Sequence, residues 1–328
     1  MTNDQMGSPW RLVVLLLAMI GVIAPAYGDE PSKPARIGYV TSGPRQGLTK
    51  QGVHAGFLAG MARRGYVLGR TFLLEERFAE GHAERVPELV HEVLSLNVDV
   101  LVTLPPYIAL IAQQSIPKVP IVTLSGDPVG TGLVKSLSHP GGDITGVSIQ
   151  AVEYGVKWLE LLKEAVPTLH KVAVVINDAR QIDELRKAAL ALGLELKIVS
   201  GMPSDIEESM SAITATASQA LVVGDDSAFE VISPKLLQFA QERHLPTISG
   251  LGDTFVYIGG LMSYSCNFYE VGRRVADQVD RILKGSHPSD LPIDQATEFL
   301  LKLNLRTAKE LGVTMPTALL ARADEVIE

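Results

Sequence analysis

Arg36-Ile37-Gly38-Tyr39-Val40-Thr41, closed by Ser42-Gly43-Pro44, is a β-branched run stopped by turn residues. A helical pattern follows from about Lys50 to Arg64, where Gly65 ends it. A short apolar strand feeding a helix is the opening unit of a parallel β-α-β crossover. The unit repeats: strand Phe72 to Arg77, then helix Ala83 to Leu96 with Val86, Leu89, Val90, Val93 and Leu94 on one face. Strand Val98 to Thr103 leads through Pro105-Pro106 into another helix, and strands Val119 to Leu124 and Thr145 to Ile149 complete the first run.

The rhythm then restarts. Helix 152–166 ends at Pro167, and strands Lys171 to Ile176, Leu194 to Val199 and Ala220 to Val223 alternate with helices 181–192, 204–217 and 228–243. Short strands Pro246 to Ile248 and Gly260 to Ser263 precede a long helix, Glu270 to Leu283, stopped by Gly285. A strand pattern, Thr297 to Leu303, and a helix, Arg306 to Leu311, close the chain. Two such runs predict an α/β protein of two doubly wound parallel-sheet lobes. Lobe 1 is expected over 36–147, completed by about 266–296, and lobe 2 over 148–265, completed by about 297–328. A third passage between lobes makes a three-segment hinge, which bends without losing register.

Composition agrees with that frame. The 328 residues are too many for one core and suit two, and 46% hydrophobic with 20% charged residues is globular composition. Aromatics are 5%, so Ala, Val, Leu and Gly dominate, as in sheets covered on both faces. The formal charge is −8 and no run of Lys or Arg exceeds two residues, so no basic stripe for nucleic acid is visible. The lone Cys266 permits no disulfide within the chain and reads as a buried small residue.

The N-terminus reads as an export signal over 1–28. Arg11 precedes an apolar core from Leu12 to Ala24, and Pro25-Ala26-Tyr27-Gly28 supplies small exit residues. That core is shorter than the ~20 residues a spanning helix needs. The alternative is an uncleaved anchor; no cysteine follows the core for a lipid anchor. The mature chain is expected to begin near Asp29, with 29–35 as a leader, free in the periplasm.

Catalytic and cofactor motifs are missing. The sequence has no GxxxxGK[ST], no GxGxxG after the first strand, no HExxH and no GxSxG. Its seven histidines form no i, i+4 pair. A small-molecule ligand is expected, with no cofactor and no metal.

In doubly wound sheets, ligands bind beyond the carboxyl ends of the strands. Two lobes facing one another therefore frame a single cleft, walled by the loops after each strand. Those loops hold Ser42, Thr103, Tyr107 and Asp127 in the first lobe, and Asn177, Arg180, Asp226 and Ser227 in the second. Helix starts nearby offer free N–H groups to a carboxylate, and Asp127 and Asp226 offer seats to an ammonium. Ser42, Asn177 and Ser227 read equally well as helix N-caps, and Asp127 before Pro128 as a turn former. Tyr107 either stacks on a planar ligand or covers the lobe edge. Tyr264, where the chain passes between lobes, is a site candidate or hinge packing.

Several ordered blocks carry a family likeness. Phe57 to Gly69 with Phe78-Ala79-Glu80-Gly81, Gly126 to Val134 with Pro140 to Ser148, Gly259 to Tyr264, Ile282 to Gly285 with Asp290-Leu291-Pro292, Asn304 to Gly312 and Leu320 to Glu325 resemble the ABC transporter substrate-binding proteins of the tryptophan- and tyrosine-binding type. The likeness implies a type I periplasmic-binding-protein fold and an importer whose permease and ATPase are the partners. It implies a monomer that binds an amino acid, an aromatic one among the candidates, or another small carboxylate. Asp127 and Asp226 match acidic positions of the family pattern, and Ser42 lies in its first cleft loop. The loop Asn177-Asp178-Ala179-Arg180 lacks the family's usual prolines and Pro106-Tyr107 replaces small residues, so the substrate does not transfer with the fold. A periplasmic sensor that feeds a membrane receptor, or an exported enzyme, are the competing readings.

Overall fold

The computed structural model describes residues 33–45, 50–115 and 118–328; the expected signal peptide, 1–28, lies outside them. The first lobe opens with β1 (Ala35–Thr41), α1 (Val53–Arg63), β2 (Phe72–Phe78), α2 (Val86–Ser95), β3 (Val100–Leu104), α3 (Pro106–Gln113), β4 (Ile121–Ser125) and β5 (Ile144–Ser148). The chain then crosses to α4 (Ala151–Ala165), β6 (Lys171–Val175), α5 (Ala179–Leu192), β7 (Glu195–Val199), α6 (Ile206–Ala215), β8 (Ala220–Val223), α7 (Phe229–Glu242), β9 (Thr247–Ser249), α8 (Asp253–Tyr257) and β10 (Met262–Cys266). It returns as α9 (Phe268–Leu283) and β11 (Asp294–Gln295), and crosses a third time to β12 (Phe299–Asn304), α10 (Leu305–Glu310), α11 (Thr317–Arg322) and β13 (Glu325–Ile327).

Two separate sheets result. One runs β11-β5-β4-β3-β1-β2 and the other β13-β12-β10-β9-β8-β6-β7. The strand interiors are apolar on both faces, as a sheet covered by helices on two sides demands. In β3, Val100, Val102 and Leu104 face the helices nearest the hinge, and Leu101 packs with the core under α2 and α3. In β6, Val172 and Val174 face one way, and Ala173 and Val175 face the core under α6 and α7.

One strand departs from the all-parallel expectation: β12 runs antiparallel to β10, with Met262 opposite Leu303 and Cys266 opposite Phe299. The reason is the crossing itself. β10 leaves the second lobe at the hinge and β12 re-enters it there, so the two must run in opposite senses. The small elements α8, α11, β11 and β13 have too few residues for periodicity to reveal them.

The first lobe is finished by a helix from the far side of the hinge. α9 buries Val271, Val275, Val279 and Ile282, each worth about 1.5–3 kcal/mol when fully removed from water. It packs on α1 at backbone contact. A Cβ on Gly56 would stand 1.9 Å from the Tyr269 carbonyl oxygen, and one on Gly272 2.0 Å from that of Val53. Only glycine allows this approach.

The three crossings are tied to one another. The Ala296 amide donates to the Ser148 carbonyl (2.8 Å) and the Asn267 amide to that of Glu298 (2.9 Å). Trp158, fully buried, donates its indole N–H to the Tyr264 carbonyl at 2.8 Å. Cys266 is buried at the end of β10.

Candidate functional site

The strand ends of both sheets converge on one cavity of about 380 Å³ between the lobes. Small-ligand sites span roughly 300–1,000 Å³. The first lobe contributes Tyr39 from β1, the first turn of α1, and Leu104, Pro105, Pro106 and Tyr107 after β3. The second lobe contributes Ile176 and Asn177 after β6, Asp225, Asp226 and Ser227 after β8, Glu230 in the first turn of α7, and Leu251 after β9. Leu124, Ile149 and Phe268 add to an apolar wall.

Four of the nine sequence-derived candidates line this cavity: Tyr107, Asn177, Asp226 and Ser227. The other five stand around it. Ser42 is buried, and its hydroxyl shares a 2.7 Å hydrogen bond with that of Ser227 across the lobes. Asp127 and Arg180 form an ion pair between the lobes, outside the cavity lining. Thr103 is fully buried within β3, and its hydroxyl has no partner among the described residues. Tyr264 stacks on Phe299 at 6.2 Å and 24°, in the hinge packing.

The capping alternatives resolve locally. Asp178, and not Asn177, caps α5, accepting from the amides of Arg180 and Gln181 at 2.9 Å. Asn177 instead accepts from the Gly201 amide at 2.9 Å. Asp226 accepts from the Ala228 amide at 2.9 Å, one residue before α7, and Ser227 has its hydroxyl free for Ser42.

The carboxylates define the site's electrostatics. Asp225 accepts from the Tyr154 hydroxyl and, at 3.4 Å, from the Gln181 amide. Burial pushes its carboxyl up to about 6, against the pull of those hydrogen bonds. Burial also raises Asp226, opposed by the Ala228 amide and the Ser42 hydroxyl. Burial, with the charge of Asp226 behind it, pushes Glu230 up to about 8. Burial and Asp226 likewise push Tyr107 up to about 12. All four of these residues line the cavity.

Sequence reasoning missed Tyr39, His54, Asp225, Glu230 and Phe268 as lining residues. Asp225 lies in the same loop as Asp226, and both line the cavity. Glu230 lies within a helix pattern and carries no loop signal. Tyr39 points from a strand face that reads as core. Among the described residues no group of three or more His, Cys, Asp and Glu is placed to hold a metal ion. No helix there is long and apolar enough to cross a membrane.

The model of the ABC transporter substrate binding protein family matches residues 45–327. The chain belongs to that family. A relative, the tyrosine-binding protein of Clostridioides difficile (strain R20291), is 24% identical over 267 residues, covering 79% of this chain and 76% of the relative. Among solved structures, a conserved domain protein from Vibrio cholerae matches at TM-score 0.80 and 26% identity, covering 90% of this chain and all of the other. An ABC domain from Streptococcus pneumonia, in complex with L-Trp, matches at TM-score 0.81 and 23% identity with the same coverage. The substrate-binding protein thus has the type I periplasmic-binding-protein fold that the sequence blocks implied.

Proposed function

We propose that this protein captures a compact amine-bearing molecule between its lobes, outside the cytoplasm, and delivers it to the permease and ATPase of an importer. An amino acid with a large apolar or aromatic side chain is the first candidate. One observation carries the reading: a cavity of about 380 Å³ with apolar walls and buried carboxylates sits where the strand ends of two hinged lobes meet. Apolar walls take the body of such a ligand, and Asp225, Asp226 and Glu230 take its ammonium. The relatives named above for tyrosine and bound to L-Trp support a ligand of that size.

The action is binding without turnover. Of the lining residues, His54 is engaged by Glu76 at 2.5 Å, and none pairs a hydroxyl or thiol nucleophile with a base. Two sheets with three hydrogen-bonded crossings supply the bending element that closure needs. We take the protein to act as a periplasmic monomer, exported by residues 1–28.

A thermal-shift screen of amino acids and aromatic amines tests this. At 100-fold excess over Kd, the true ligand adds about 2.7 kcal/mol of stability. A folded protein whose melting temperature moves with no amine-bearing compound contradicts the proposal.

A further inference from the structure

The helices α1, α3, α4, α5, α7, α8 and α9 all start at the cavity wall, and a helix start offers free amides to a ligand carboxylate. Six of them have little left to offer. Asp178 and Asn267 cap α5 and α9. At α7 the amides of Ala228, Phe229 and Glu230 already bond to Asp226 and Ser227. α8 has five residues, with Asp253 in its first turn. α3 opens on Pro105-Pro106, which carry no N–H. The first amide of α4 donates to the Gly126 carbonyl at 3.3 Å. α1 differs: no side chain caps it, and its first turn holds no carboxylate. Its own bonding begins with the Gly56 amide on the Gly52 carbonyl at 3.1 Å, so the amides of Val53, His54 and Ala55 have no acceptor among the described residues.

A second group stands beside those amides. Tyr39 lines the cavity and is only 3% exposed. Its ring packs edge-on against that of His54, in the first turn of α1, at 5.3 Å. Its hydroxyl has no hydrogen-bond partner among the described residues, yet it is not one of the polar atoms sealed from solvent, so it opens on the cavity. Buried hydroxyls are normally hydrogen-bonded, and one left over asks for a partner. Burial, with the charges of Glu230 and Glu76 behind it, holds this phenol well above its ordinary range. It therefore remains an O–H donor at any working pH.

Resting on the function proposed above, we infer that Tyr39 is a specificity-determining residue: its O–H, with the free amides of α1, seats the carboxylate of an α-amino acid whose ammonium is held across the cleft by Asp226 and Glu230. The two charged groups of an α-amino acid share one carbon, so their seats have to adjoin. Tyr39 and Glu230 come from opposite lobes and line the same cavity, and the Glu230 charge reaches the phenol. The His54 ring is held by Glu76, which leaves the anion to the phenol and the amides. The first lobe then takes the anion and the second the cation, and the head group joins the lobes through the ligand.

The test is titration calorimetry on the full mature chain with tryptophan, tyrosine and the matching amines tryptamine and tyramine, which lack only the carboxylate. At least one amino acid should bind more tightly than its amine by about tenfold or more, the size of a hydrogen bond to a charged group. Tyr39→Phe keeps the ring and removes one oxygen. That amino acid's Kd should rise by about tenfold or more and its amine's by much less, while Tm without ligand holds or rises, because the hydroxyl has no partner to lose. Gly52 is in an extended conformation open to any residue, so Gly52→Asp sets a competing carboxylate at the head of α1, where Asp caps better than Gly. It should also cost the amino acid about tenfold or more without lowering Tm. Amines that bind as tightly as their amino acids, or either variant at parental affinity for the amino acid, overturn the inference and leave the binding function standing. No binding by any of these probes to the folded parent overturns both.

Discussion

Ser42 Oγ and Ser227 Oγ lie 2.7 Å apart, and they belong to different lobes. Ser42 follows β1 and Ser227 follows β8, so the bond ties a cleft loop of one lobe to a cleft loop of the other. The buried Ser42 hydroxyl also pulls the Asp226 carboxyl and the Tyr107 phenol down against the push of burial. Closure and the ligand wall are thereby linked through one small side chain. Two further contacts span the lobes, Asp127 to Arg180 and Gln51 to Lys302.

Ser42→Ala removes that link without adding bulk. A neutral hydrogen bond contributes about 1 kcal/mol, so Kd should rise by about three- to tenfold, with little change in the melting temperature of the empty protein. Titration of both proteins with the ligand found in the thermal screen checks this; equal affinities would contradict the latch.

The Asp127–Arg180 pair should matter less. Its side chains are 34% and 46% exposed, and exposed ion pairs contribute about 0–1 kcal/mol. Arg180→Ala should weaken ligand binding by no more than about fivefold, and by less in high salt. A loss of two orders of magnitude would place Arg180 on the ligand itself.

Much of this was legible beforehand, for physical reasons. Strands buried on both faces write themselves as unbroken β-branched runs, so β1, β3, β6 and β8 lie close to where their runs place them. The loops that follow those strands do meet in one cavity. Illegible were the residues whose role depends on a neighbour in space. Glu230 and Tyr39 sit in regular elements and reach the cavity only because α7 and β1 point there. Thr103 was named because it ends a strand, yet the pleat turns it inward. The antiparallel β12 follows from the crossing, which no local pattern encodes.

The backbone contact between α1 and α9 gives a stability test far from the cavity. Gly272→Ala adds a Cβ 2.0 Å from the Val53 carbonyl oxygen, an atom that cannot move aside alone. Overpacking of this kind costs about 1–3 kcal/mol, more than alanine's gain in helix propensity. Melting temperature should fall by several degrees. An unchanged or higher value would mean that the helices separate freely.

Asp225 predicts a pH dependence of defined sign. Its carboxyl is raised from 3.8 to about 6 by burial, so the folded state binds more protons than the unfolded state between those values. The stability tied to this group is fully present below about 4 and is lost as pH rises through about 6, with a size on the order of 2–3 kcal/mol. Asp225→Asn keeps an acceptor for the Tyr154 hydroxyl and removes the charge. The variant should exceed the parent in denaturant midpoint at pH 7.5 and converge with it near pH 4. A gap independent of pH would show that the charge is not the cause.

The most direct measurement is a crystal structure of the mature chain grown with the best ligand of the thermal screen. The account requires that molecule between the lobes, its apolar body against Leu104, Ile149 and Phe268 and its nitrogen within hydrogen-bond reach of Asp226. Ligand density outside this cavity, or lobes that hold the ligand without meeting across it, would contradict the account.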